Sequence, residues 1–191
     1  RGFELAPIKL QLELGWGKKY QYVDWDCELE ITGGRLIDVT PQFRGPDILS
    51  PMSPAPDQPL DSHWEWTGEN RIRFRTTTWG NPTLTTPATQ GLCLHFTAGH
   101  DTQLLACLNG KHVSLNLEEI LNGGQSGFLG GFISPGYRFH RAVSVQEYAI
   151  THQINDRRDS MENGWYSLRV KEKNDQWAWS SPIWFRGSAE G

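Results

Sequence analysis

Val23-Asp-Trp-Asp-Cys-Glu-Leu-Glu-Ile31 alternates without a break. Val23, Trp25, Cys27, Leu29 and Ile31 point one way and Asp24, Asp26, Glu28 and Glu30 the other, the period-2 pattern of a strand with one dry and one wet face. Upstream, Ile8, Leu10, Leu12 and Leu14 alternate with Lys9, Gln11 and Glu13 in the same way, and Gly15-Trp-Gly17 ends the run. Downstream, Thr32-Gly-Gly34 reads as a tight turn into Arg35–Thr40, which predicts a hairpin.

The rest of the chain repeats this style. Ile72, Phe74 and Thr76 oppose Arg71, Arg73 and Arg75, and Leu92, Leu94 and Phe96 oppose Cys93, His95 and Thr97, with the turn-rich Trp79-Gly-Asn-Pro-Thr83 between them. Asn109-Gly110 between Leu104–Leu108 and Val113–Leu117 is a strong two-residue hairpin signal. Leu117–Leu121 reads as one short helical turn, and Gly123–Gly136 as too glycine-rich for a regular element. Tyr148, Ile150, His152 and Ile154 predict a further strand. At the C-terminal end Tyr166, Leu168 and Val170 alternate with Ser167, Arg169 and Lys171, and Asn174-Asp175 turns the chain before Trp177 restarts the pattern, a hairpin expected to complete the sheet.

No segment carries a sustained 3.6-residue period. The expected fold is therefore all-β: a two-sheet antiparallel β-sandwich of nine to eleven strands with a long Pro-rich loop over Pro41–Pro59 and at most one short helix. At 191 residues the chain is of a size for a single β-sandwich domain spanning 1–191. Because it opens on Arg1 instead of Met, an upstream segment is expected to be missing.

Composition narrows the function. A net charge of −4 gives no basic field for a phosphate backbone, so nucleic acid is not an expected partner. With no apolar run of membrane-spanning length, no membrane is expected either. Cys27, Cys93 and Cys107 lack paired spacing, so they read as free, structural thiols, and a reducing compartment inclines the location toward the cytoplasm. The six histidines form neither His-x-His nor His-Glu-x-x-His, no Gly-x-Ser-x-Gly elbow is present, and no cysteine has a histidine beside it in sequence to activate a thiolate. Asp24 and Asp26 share a strand face and could pair as carboxylates, but an acidic solvent face accounts for them more simply. No catalytic residue, metal ligand or cofactor is assigned to this chain.

Nine tryptophans exceed ordinary usage. Trp25, Trp165 and Trp184 lie in strand contexts and read as core. Trp64, Trp66 and Trp79 sit beside turns or the Pro-rich segment, where an open indole face next to Asn81 would stack on a sugar ring, or else on the prolines of that segment. Trp177 and Trp179 share parity and predict a short aromatic strip on one strand face. Carbohydrate is accordingly one expected ligand, with Trp64, Trp66, Trp79 and Asn81 as its site.

Trp177-Ala-Trp-Ser-Ser-Pro-Ile-Trp184, following Trp165-Tyr-Ser-Leu-Arg-Val170, resembles the C-terminal segment of proteins related to the PHP (polymerase and histidinol phosphatase) metallohydrolases. Val23-Asp-Trp-Asp26, Gly33-Gly34, Phe43-Arg-Gly-Pro46, Arg75-Thr-Thr-Thr-Trp-Gly-Asn-Pro82 and Gly130-Gly-Phe132 are similar to the distal part of the same proteins. The resemblance implies a non-catalytic accessory domain of a metal-dependent phosphoesterase, with an upstream catalytic domain of the same polypeptide as its partner. In that family the metal-binding histidines and carboxylates belong to the upstream domain, so none carries over to a residue here.

Overall fold

A computed structural model describes residues 6–43, 61–80, 89–131, 133–148, 151–155, 163–171 and 177–186. The fold is all-β, and among the described residues every ladder is antiparallel. Among the described residues two short helices accompany the strands, where at most one was expected. By internal contacts it divides into two compact units, 1–148 and 149–191.

The first unit is one nine-stranded sheet folded over on itself. Its two long members are β2 (Tyr22–Gln42) and β5 (Gln90–Leu108), and each contributes to both layers. The first half of β2 pairs with β4 (Arg71–Trp79), which pairs with the edge strand β3 (Ser62–Gly68), while the second half of β5 carries β6 (Lys111–Asn116). The other halves of the two long strands continue into β1 (Ala6–Trp16), then β8 (Pro135–Phe139) and β7 (Gln125–Phe128), with the two-residue β9 (Val143–Ser144) also on β1. Both inner faces feed a single apolar cluster: Ile8, Leu10, Leu12 and Leu14 from β1 meet Trp25, Cys27, Leu29 and Ile31 from β2 and Ile72 and Phe74 from β4. This is a sandwich whose corners are made by strands that cross from one layer to the other.

That crossing corrects one expectation. Thr32-Gly-Gly34 is not a hairpin turn but a bend within β2, where the register against β5 shifts. Gly33 has φ 65°, and a Cβ there would strike the carbonyl of Asp101. Only glycine lets the two backbones come this close at the corner. The bend is held by side chains. Thr102, 1 % exposed, accepts from the Gly99 N–H and donates to the Gly33 carbonyl, both at 2.8 Å. Asn70, in the turn between β3 and β4, accepts from the Leu36 N–H at 2.9 Å and donates to the Gly34 carbonyl at 3.2 Å. These bonds satisfy backbone groups that the bend removes from the ladder.

The Asn109-Gly110 hairpin forms as read, with both residues at positive φ (48° and 82°). The expected helical turn is α1 (Leu117–Asn122), opened by a capping box in which Asn116 and Glu119 bond reciprocally. Two other readings are corrected. Gly123–Gly136 contributes a regular hairpin, β7 against β8, because glycine keeps both backbone ladder groups and pairing needs no side chain. The strand predicted over Tyr148–Ile154 is absent among the described residues: Tyr148 ends the second helix α2 (Val145–Tyr148), and 151–155 is irregular. The Pro41–Pro59 segment lies outside the described residues from position 44 onward. Among the described residues no helix is long and apolar enough to cross a membrane.

In the second unit β10 (Gly164–Tyr166) pairs with β13 (Ile183–Phe185), and β11 (Arg169–Lys171) with β12 (Trp177–Trp179). The hairpin read from the sequence is present, but its strands pair with one another instead of completing the large sheet. Its ladder is interrupted at Ser180-Ser-Pro182, where proline brings no N–H. Across the break, Leu168 and Ser180 remain joined by a Ser180 N–H to Leu168 carbonyl bond at 2.9 Å.

Candidate functional site

The expected sugar platform separates into three fates. Trp64 and Trp66 alternate on β3, opposite Phe74 and Ile72, so both face inward from an edge strand. Trp64 is partly buried against the core, whereas Trp66 is 45 % exposed, and the two rings meet edge to face at 6.0 Å. Trp79 corrects the expectation of an open face. It is 5 % exposed, and the Tyr20 ring sits 6.1 Å away at its side. The cause is the end of β4: Tyr20 N–H bonds to the Gly80 carbonyl and Gly80 N–H to the Gln21 carbonyl, which draws the loop before β2 over the indole. Asn81 lies outside the described residues.

The paired carboxylates are engaged structurally. Asp24 accepts from the Thr77 hydroxyl at 2.8 Å, and Asp26 receives Arg73 through two bonds at 2.8 and 2.6 Å and Arg75 at 3.1 Å. Hydrogen bonding from Arg73, with that from Arg75, lowers the Asp26 carboxyl from 3.8 to about 2. Arg71 bridges Glu28 at 3.2 Å and Glu30 at 2.6 Å. Facing strands of alternating charge have produced a cross-strand ion ladder, as the simpler reading of this face anticipated. Among the described residues no group of three His, Cys, Asp or Glu side chains is placed to hold a metal ion.

The densest exposed aromatic surface is on the C-terminal hairpin. Trp165 and Trp184 are directly opposed across β10 and β13, with ring centroids 6.3 Å apart. One position along, on the opposite face, Tyr166 stacks on Phe185 at 5.3 Å. In the companion ladder Trp177 and Trp179 lie on one face as expected, nearly parallel at 6.2 Å, with Arg169 and Lys171 over the Trp177 ring at 5.2 and 5.5 Å. Trp165, Trp177, Trp179 and Trp184 are 52, 45, 69 and 72 % exposed. The reading of Trp165 and Trp184 as core is corrected: a two-stranded ribbon has no second layer and cannot bury aromatic rings on both faces. Each ladder therefore presents its own pair of exposed indoles, Trp165 with Trp184 and Trp177 with Trp179.

No family model, curated protein or solved structure matches the chain.

Proposed function

We propose that this chain is a non-catalytic accessory β-module that works by docking, and that the aromatic hairpin 164–185 is its docking element. The observation that carries the reading is the aromatic cover on both faces of that ribbon. Such a ribbon is stable in water only with a surface to pack on. The same residues carry the resemblance to proteins related to the PHP metallohydrolases, which supports an upstream metal-dependent phosphoesterase domain of the same polypeptide as the surface. That support is by family likeness alone. On this reading the sandwich is the rigid support, and any phosphoester chemistry resides upstream.

The test begins with the intact mass of the native polypeptide and peptide mapping upstream of Arg1, followed by limited proteolysis. A longer native chain in which the 164–185 ribbon resists cleavage, and becomes sensitive when Trp165 and Trp184 are replaced by Ser, supports docking. A native chain that begins near Arg1, or a ribbon cleaved equally in both forms, overturns it.

A second reading rests on Trp66, whose exposed indole beside Trp64 on an edge strand offers a face for a sugar ring. It calls for saturable tryptophan fluorescence changes with oligosaccharides that disappear in Trp66→Ala. Silence across a broad glycan panel removes it.

A further inference from the structure

On the outer face of β2, β5 and β6 an open depression of about 380 Å³ is lined by Glu28, Glu30, Leu105, Cys107, His112 and Ser114. Its centre is a cysteine and a histidine that lie five positions apart in the chain and directly opposite in the ladder. The Asn109-Gly110 loop makes Leu108 and Lys111 the closing, mutually hydrogen-bonded pair, so Cys107 and His112 form the next, non-hydrogen-bonded pair. In such pairs the Cα atoms approach to about 4.5 Å and the side chains stand closest. Glu28 flanks Cys107 on the other side. Around the depression, Glu28 and Glu30 share the guanidinium of Arg71, and Arg73 opposite Glu28 is bonded to Asp26, so this outer face sets Asp24, Asp26, Glu28, Glu30 and Glu65 against Arg71, Arg73 and Arg75, a net negative rim.

The three thiols of this chain differ sharply. Cys27 is 1 % exposed in the core, and burial pushes its thiol far above the ordinary range; burial also raises Cys93. Cys107 lines the depression with the His112 imidazole directly across the ladder, whereas Cys93, also partly exposed, has His95 two positions along its own strand.

We propose that Cys107 is a thiol-exchange site, with His112 as its proton acceptor, that takes small cationic disulfides. In the exchange the Cys107 Sγ attacks one sulfur of a disulfide R–S–S–R. A Cys107 Sγ–S–R bond forms, the R–S–S–R bond breaks, and the thiol proton passes through the His112 ring to the departing sulfur as R–SH. The disulfide is the only oxidant needed: the Cys107 Sγ lone pair forms the new bond, and the electron pair of the broken S–S bond leaves with the departing sulfur, which takes the proton. The negative rim selects the charge of R: an aminothiol disulfide is attracted and a carboxylated one repelled. Leu105, on the same strand face, supplies an apolar wall for the methylenes of R.

The experiment uses the whole chain, native and reduced, with cystamine, the neutral bis(2-hydroxyethyl) disulfide and the dianionic 5,5′-dithiobis(2-nitrobenzoate) as probes. Adducts are counted by intact mass and located by peptide mapping. The expected result is one fast adduct at Cys107, a slower one at the partly exposed Cys93 and none at buried Cys27 before denaturation, with Cys107 rates that fall from the cationic to the anionic probe relative to a free small thiol. His112→Gln, an exposed substitution whose folding is checked by unchanged protection of Cys27, slows the reaction about tenfold near neutral pH. It also removes the histidine inflection from the pH–rate profile. Raising the salt concentration flattens the probe order. Equal reactivity of the three cysteines, or a pH profile unchanged in His112→Gln, overturns the assignment. A probe order that does not follow charge overturns the selectivity.

Discussion

Replacing glycines one at a time by alanine separates the two physical demands made at the corner of the sandwich. Gly110 has φ 82° with open space where a Cβ would go, so Gly110→Ala isolates the conformational cost of a left-handed backbone, about 1 kcal/mol. At Gly34 the added Cβ would strike the Thr97 carbonyl and reach within 3.2 Å of Ile31 and Thr102 without a positive φ, so Gly34→Ala isolates steric displacement, about 1–3 kcal/mol. Gly33 bears both demands, and its Cβ would meet the Asp101 carbonyl carbon at 2.8 Å, so Gly33→Ala is expected to cost about 2–5 kcal/mol. Gly123→Ala, extended and open, is the control and should change nothing measurable. The assay is urea unfolding read by hydrogen exchange at core amides of β2 and β5, so that the 1–148 unit is followed separately. If Gly33→Ala falls within about 0.5 kcal/mol of Gly110→Ala, β2 does not pass the corner in close contact with β5, and the folded-over sheet is wrong.

Other perturbations probe individual bonds. Thr78→Val removes the acceptor that the buried Trp25 indole N–H reaches at 2.8 Å, and unfolding free energy should fall by about 1–3 kcal/mol, with Trp25→Phe costing at least as much through the volume it also removes. Asn70→Ala leaves the Leu36 N–H and Gly34 carbonyl without their partner and should cost about 1–3 kcal/mol, whereas Asn70→Asp keeps only the acceptor and should recover part of it. The folded Asp26 carboxyl is depressed from 3.8 to about 2, so its contribution is complete above the upper value and is lost as pH falls through the lower one. Because its side chain is 45 % exposed, that contribution is below about 1 kcal/mol, and Asp26→Asn should flatten the acid limb of an unfolding titration over this window in low salt and much less in high salt.

The alternation that places Trp25, Cys27, Leu29 and Ile31 in the core is a local property, since each residue's face follows from its neighbour's, and it is legible in the sequence. What Gly33-Gly34 does is not local. The same two glycines serve a reversing turn or a corner, and the choice is made by Asp101, Thr102 and Asn70, which arrive from distant parts of the chain. Trp79 eludes sequence reading for the same reason. Its place before Gly-Asn-Pro in the sequence says nothing of Tyr20, which covers it from a loop that precedes it by nearly sixty positions. Trp165 and Trp184 show the converse error: strand periodicity fixes that two residues share a face, but not whether a second layer exists to cover that face.

The Cys107–His112 pair is legible by a further step. A search for adjacent cysteine and histidine along the chain misses this pair, because a hairpin brings together residues at a constant sum of positions, not at a short separation. Asn109-Gly110 fixes that sum, which sets 108 against 111 and therefore 107 against 112. Alternation in β5 then puts Cys107 on the face opposite Ala106 and Leu108, away from the core. Turn chemistry thus carries information about chemistry on the strands it joins: the turn gives the register, the register gives the pairs across it, and the pairs set a thiol beside an imidazole.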